Sequence, residues 1–333
     1  MDWNLIWFIL IAVLFTGFFI LEGFDYGVGM MMLFRSKEER TQFLKSIAPV
    51  WDANEVWLIT AGGASFAAFP DFYATMFSTF YLALFLMLMA LILRGVAFEL
   101  RGKFQNSDWI NFWDGAIIFG SFIPAFLWGV AMANLLQGLP INSQMHYTGN
   151  FLTLLNPFSI IGGLFFVSLF MFHGANFLRM KLADESLKYE LKKDARAMGK
   201  AAWTSYLCFV ITAVNNTDVM SYTSGVLIFA SAMGVLSAGF PKMKEKDSPN
   251  FCFATSTVTI AMTVIGLFVA LFPRLMVSSL NPEWSLTIYN AASTPYTLTI
   301  MTVAAVIFVP VVLIYQGWTY KIFKEKITPQ ARK

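Results

Sequence analysis

Charge is what this sequence has least of. Only 13% of its 333 residues are Asp, Glu, Lys or Arg, where a soluble chain carries roughly 25%. That shortage excludes an ordinary water-soluble domain, and hydrophobic residues at 57% place the chain in lipid. The formal net charge of +3 is too small to support a nucleic-acid partner. Its two cysteines, Cys208 and Cys252, form no CxxC pair. A thiolate zinc or iron–sulfur site is therefore excluded, and both read as small apolar residues. Histidine is equally scarce, with only His146 and His173. Haem iron usually takes His, Met or Cys as axial ligand, so a multi-haem site is not readily built from this chain alone. No phosphate-binding glycine loop and no serine or cysteine nucleophile motif occurs, which removes ATP-driven and hydrolytic chemistry. The first apolar run lacks a preceding basic stretch and a small-residue cleavage pattern, so it reads as a retained helix.

Long apolar runs are what the sequence has in abundance. A membrane span needs roughly 20 mainly apolar residues, and about nine stretches qualify. They run over 5–34, 51–69, 73–100, 110–137, 152–180, 198–215, 220–240, 251–276 and 297–323. The sixth and seventh are parted only by Asn215-Asn216-Thr217-Asp218. The connections alternate in charge. Of the 23 Lys and Arg residues, all but Arg274 fall on one side, in the groups Arg35–Lys45, Arg94–Lys103, Arg179–Lys200, Lys242–Lys246 and Lys321–Lys333. Basic residues stay on the cytoplasmic side of a membrane. The bias therefore predicts an outside N-terminus and a cytoplasmic C-terminus, which agrees with an odd number of spans. Trp3, Trp7, Trp109, Trp113, Trp284 and Trp318 read as an interfacial aromatic belt.

The expected fold is an all-α polytopic membrane protein of about nine helices. A weak repeat supports two four-helix bundles plus one peripheral helix: Glu22-Gly23-Phe24-Asp25 near the end of the first run is similar to His173-Gly174-Ala175-Asn176 near the end of the fifth. That divides the chain into a bundle over 1–140, a second over 150–276, and an outer loop, ninth helix and cytoplasmic tail over 277–333.

Ionisable residues inside apolar runs are costly and mark candidate sites. Glu22 and Asp25, three residues apart, share a helix face near the basic end of the first run. Asp52 and Glu55 repeat that spacing at the basic end of the second, between Trp51 and Trp57. Antiparallel packing would bring these four carboxylates to a similar depth. Gly23/Gly27, Gly63/Ala67 and Ala64/Ala68 are small-residue pairs that let helices approach closely. Arg94 and Glu99, Asp114 and His173 fall towards the same side. Arg94 and Glu99 read more as boundary residues that snorkel to water, and His173 as a hydrogen-bonded interface histidine. The carboxylates support a cytoplasmic proton-uptake path.

Several runs together resemble subunit II of the bacterial cytochrome bd-type quinol oxidases. They are Glu22–Gly29 (EGFDYGVG), Ser46–Asp52 (SIAPVWD), Asn54–Gly63 (NEVWLITAGG), Phe172–Ala175 (FHGA), Ser278–Pro282, Ser285–Ala291, and Pro310 with Tyr315–Trp318 (YQGW). They cover nearly the whole chain in order, and 185–250 shows least of the pattern. The resemblance implies a heterodimer with a similar subunit I that holds haem b and haem d (or a b-type replacement) and oxidises quinol. Subunit II would stabilise that assembly in the bacterial cytoplasmic membrane and help deliver protons for reduction of oxygen to water. Carried over by motif, Asp52 would line the proton path, with Asp25 and Glu22 next; the residues themselves add Glu55 to that path and Arg94, Glu99, His173, Trp51 and Trp57 as supporting polar residues. A single-helix accessory subunit and a structural quinone are compatible with the resemblance. Two other classes remain open on the residues alone, a secondary transporter and a purely structural scaffold.

Overall fold

In lipid, each backbone N–H must find its carbonyl within the same segment, so apolar runs become helices. A computed structural model of the chain describes residues 2–33, 35–218, 223–242 and 248–328. The expected span edges at Phe34 and 220–222, and the basic residues Lys244, Lys246, Arg332 and Lys333, lie outside these. The described chain is almost entirely helical: α1 (Trp3–Met31), α2 (Lys37–Ile47), α3 (Trp51–Ala68), α4 (Pro70–Thr79), α5 (Tyr81–Leu100), α6 (Ser107–Gln137), α7 (Phe151–Leu154), α8 (Pro157–Lys181), α9 (Glu185–Asn216), α10 (Thr223–Lys242), α11 (Pro249–Leu271) and α12 (Pro295–Ile322). Among the described residues, seven helices are long and apolar enough to cross a membrane: α1, α5, α6, α8, α9, α11 and α12. The two other expected spans are also helices. α3 is only 18 residues long and opens on Asp52, Asn54 and Glu55. The apolar part of α10 is limited to Gly225–Gly239.

Three boundaries differ from the sequence reading. Residues 37–47, read as a connection, form an amphipathic helix that buries Phe43, Leu44 and Ile47. Its start is set by a reciprocal cap, in which Ser36 accepts from the Glu39 backbone and Glu39 from that of Ser36. Ser-x-x-Glu is the sequence signature of that cap. The third run is broken, because α4 closes at Phe80 before α5 begins at Tyr81. The charged stretch 185–197 is not a loop but the first half of α9. Asp184 caps its N-terminus by accepting from Ser186 and Leu187.

Connections gather at two faces. On the basic face, Arg35 pairs with Glu190 at 2.7 Å and with Asp194, and the tail docks on the end of α8 through Ala183 N–H to Ile327 O at 2.9 Å. On the opposite face, strands β1 (Arg274–Met276) and β2 (Leu286–Thr287) pair antiparallel, and Arg274 pairs with Asp218 at 2.6 Å. Arg274, the one basic residue of that face among the described residues, thus has an acidic partner. Tyr289, exposed there, donates its hydroxyl to Asp2 at 3.1 Å, and this bond to a carboxylate raises the phenol above its ordinary pKa.

α1 runs through the centre, against α3, α6, α8 and α11. Two helix crossings bring backbone onto backbone. A Cβ on Gly27 would lie 2.0 Å from Phe170 O and 2.9 Å from Gly174 Cα, and one on Gly129 would lie 2.3 Å from Gly162 O. Gly63 differs from its expected role, since nothing lies within 4 Å of its Cβ position. Around the crossings, Phe19 packs edge-on against Trp128 and Phe166 with centroids 5.4 Å apart. Crowding a packed core costs about 1–3 kcal/mol. Gly27→Ala is therefore expected to lower the melting temperature of the detergent-solubilised protein. Gly317→Ala, with open space around its Cβ position, should leave it unchanged.

Candidate functional site

The i,i+3 spacing of Glu22 and Asp25 puts both on one side of α1, and both are fully buried. What they face is Arg94 of α5, itself fully buried. Arg94 Nη1 donates to Glu22 and, at 2.9 Å, to Glu55 Oε1 of α3. The guanidinium carbon lies 5.0 Å from the Tyr26 ring centroid and 5.6 Å from that of Phe98, within range of cation–π attraction. Trp51 stacks on Phe98 with centroids 4.6 Å apart and covers that side. Room for the arginine comes from α6, where a Cβ on Gly120 would sit 2.6 Å from the Arg94 Cβ. The expectation that Arg94 snorkels to water is thus wrong. Glu22 and Glu55 both meet its Nη1 inside the protein, and these charge-assisted bonds offset part of the cost of holding the guanidinium away from water.

Asp25 joins through an amide. Asn54 Nδ2 donates to Asp25 Oδ2 at 2.7 Å, and Asn54 Oδ1 accepts from Tyr320 of α12 at 2.8 Å. Trp57 donates to Gln316 Oε1 at 2.8 Å. Asn54 and Tyr320 were not singled out from the sequence. Asn54 sits between two flagged acids, which was the available signal, whereas Tyr320 carried none.

Not every expected member belongs. Asp52 and Glu99 are exposed, so only three of the four paired carboxylates meet. Positions three apart on a helix differ by about 60° in direction, and here that angle turns Glu55 inward and Asp52 outward. Asp114 is buried in a separate group nearer the basic connections, held by Arg101 Nε at 2.5 Å and Arg40 Nη1 at 3.3 Å. His173 lies buried between α1 and α11, its Nε2 3.1 Å from Ile20 O and its Nδ1 2.7 Å from Ser256 Oγ. A carbonyl only accepts, so Nε2 carries a hydrogen, while Nδ1 faces a Ser256 hydroxyl that also reaches Phe253 O at 2.8 Å. The interface reading of His173 holds.

The cluster has a stated chemical character. Two carboxylates pair with one guanidinium and a third, Asp25, is tied in through Asn54, while Glu22 Oε2, Asp25 Oδ1 and Tyr26 OH receive no N–H or hydroxyl and Arg94 Nε and Arg94 Nη2 meet no acceptor, all of them buried. Buried polar atoms are normally satisfied, and exceptions point to function or to internal water. Fold and site together define a polytopic helical membrane protein with a polar cluster buried within its helices.

The sequence profile of the family described as cytochrome bd terminal oxidase subunit II matches residues 3–323. The cytochrome bd ubiquinol oxidase subunit 2 of Bacillus subtilis (strain 168) is 39% identical over 329 residues, which is 97% of this chain and 96% of that protein. The cytochrome bd-I ubiquinol oxidase subunit 2 of Escherichia coli (strain K12) is 36% identical, covering 98% of this chain and 95% of that one. In fold, the chain superposes on a chain of the bd oxidase from Geobacillus thermodenitrificans with a TM-score of 0.80 at 14% identity, over 97% of this chain and 99% of that one. The chain therefore belongs to the cytochrome bd terminal oxidase subunit II family. Family membership makes it part of an oxidoreductase and sets the transporter reading aside.

His173 offers no free ring nitrogen to a haem. Both ring nitrogens of His173 are engaged, and His146 is exposed in the connection after α6.

Removing one partner of a buried ion pair costs about 3–5 kcal/mol, because the other is left charged and alone. Arg94→Met should therefore sharply lower the melting temperature and the yield of assembled protein. Adding Glu22→Gln to Arg94→Met should recover part of the loss.

Proposed function

We propose that this chain is the haem-poor subunit of a bd-type quinol oxidase. It stabilises a haem-bearing subunit I and helps deliver cytoplasmic protons for the reduction of oxygen to water. The observation that carries the reading is the buried cluster in which Glu22 and Glu55 pair with Arg94 and Asp25 is held by Asn54. With more carboxyl groups than cations in a low-dielectric site, charge balance favours bound protons over bare charge, and protons are what a relay holds. The engaged state of His173 supports placing haem b and haem d, or a b-type replacement, on the partner. Asp52, exposed at the first turn of α3, stands at the basic-face end of the helix that bears Glu55, and we assign it the mouth of the path. Glu99 has no place in it. Division of the chain into bundles over 1–140 and 150–276 follows the repeat, with 277–333 peripheral. Quinol, membrane lipid and a single-helix accessory subunit complete the proposed surroundings.

On this reading, Asp25→Asn lowers oxygen uptake by the assembled oxidase about a hundredfold or more, the size of a typical loss of acid–base function, at unchanged haem absorbance, and Glu22→Gln does the same per haem although its yield falls with the loss of the Arg94 ion pair. Unchanged rates would leave only the scaffold role. The proposed orientation places the basic face in the cytoplasm. A single thiol at Gly102, with Cys208 and Cys252 replaced by alanine, should react with an impermeant reagent in inverted vesicles and not in intact cells.

A further inference from the structure

Helix α12 turns nearly all of its surface away from the chain, and among its described residues only Leu298 and Gln316 are buried. Yet near its basic-face end Gln316 and Tyr320, four residues apart and so on one face, both reach the same atom of α3. Tyr320 donates to Asn54 Oδ1 at 2.8 Å, and Gln316 Nε2 approaches that oxygen at 3.4 Å. The direction of each bond is dictated by chemistry. The Trp57 indole N–H can only donate, so it takes the amide oxygen of Gln316, at 2.8 Å, and turns the Gln316 NH2 towards Asn54. The oxygen of Asn54 must then face α12. Its NH2 is left facing α1, where it donates to Asp25 Oδ2 at 2.7 Å. A flipped Asn54 would set amide oxygen against carboxyl oxygen and amide NH2 against amide NH2.

We infer that Trp57, Gln316 and Tyr320 are positioning residues that lock the Asn54 amide in one orientation and through it fix the carboxyl group of Asp25. One carboxyl oxygen is tied by the amide, while Oδ1 is buried and receives no N–H or hydroxyl; the Glu22 carboxyl lies within hydrogen-bond reach of Asp25, which leaves the pair able to exchange a proton. The inference rests on the reading that Asp25 takes part in proton delivery. It gives the outermost helix a task besides facing lipid, because the only chain of donors that sets the Asn54 amide among the described residues comes through α12 and Trp57.

The test uses the complete oxidase in membranes. Tyr320→Phe removes one hydroxyl and keeps the ring, and Trp57→Phe removes the donor that orders Gln316. Asp25 is read directly by the infrared carboxyl band that disappears in Asp25→Asn. Both variants should shift that band, and both should lower oxygen uptake about fivefold, what one neutral hydrogen bond is worth, at unchanged haem absorbance. Gly317→Ala, on the open side of the same helix, should alter neither. If Asp25→Asn is inactive while Tyr320→Phe and Trp57→Phe keep both the band and the rate, the inference is overturned and the proton-delivery reading stands. If Asp25→Asn turns over normally, that reading fails instead. The band alone then decides the lock: a shift in Tyr320→Phe supports it, and an unmoved band overturns it.

Discussion

Arg94 is a guanidinium shut inside a lipid-spanning protein, and the arrangement around it follows from that fact. A charge in hydrocarbon costs at least about 2.5–3.5 kcal/mol on insertion scales, so it persists only where counter-charge and hydrogen-bond acceptors are brought to it. Glu22 and Glu55 supply both, from two different helices. Tyr26 and Phe98 add their ring faces, and Trp51 closes over Phe98. α1 packs against α3, and α5 packs against α6, so the long Arg94 side chain must extend from α5 to meet the carboxylates of α1 and α3. That packing depends on small residues, with Gly120 clearing space beside Arg94 and Gly27 meeting Gly174 on the far side of α1.

The two halves of the chain handle the same position differently. α1 and α8 carry the similar four-residue runs and cross directly at Gly27 and Gly174. On α1 the run ends in a charged cluster. On α8 it ends in neutral contacts, with His173 bonded to a serine and a backbone carbonyl and Asn176 bonded to Phe172 O and to Arg179. Polar chemistry with unpartnered atoms is thus concentrated in the first half, whereas the corresponding part of the second half is satisfied. An oxidase subunit whose proposed proton path lies on one side has that asymmetry.

Much of this was legible in the residues. Composition alone placed the chain in lipid, and run lengths located helices wherever a run was long and unbroken. The distribution of basic residues separated two faces, which the contacts of Arg35 and of Arg274 respect. The i,i+3 acids on α1 were legible as well, because helix geometry fixes their shared face whatever surrounds them. Legibility failed at breaks and docking. Phe80 interrupts an apolar run in which no residue type announces a break, and α2 is visible only through Ser36 and Glu39. Arg94 in a run ending near the basic side looked like a residue that would reach water.

What the sequence by itself determined is the class of structure and the membership of its family, since hydropathy, helical period and local motifs act within one segment. What only the tertiary structure decided is which polar groups meet. Asp52 and Glu55 are chemically alike and three residues apart, yet one is exposed and the other pairs with Arg94. Asn54, between them, takes its orientation from Gln316 and Tyr320, more than 250 positions away. A helix fixes the directions of its side chains but not what stands opposite them. That is set by the packing of the other helices.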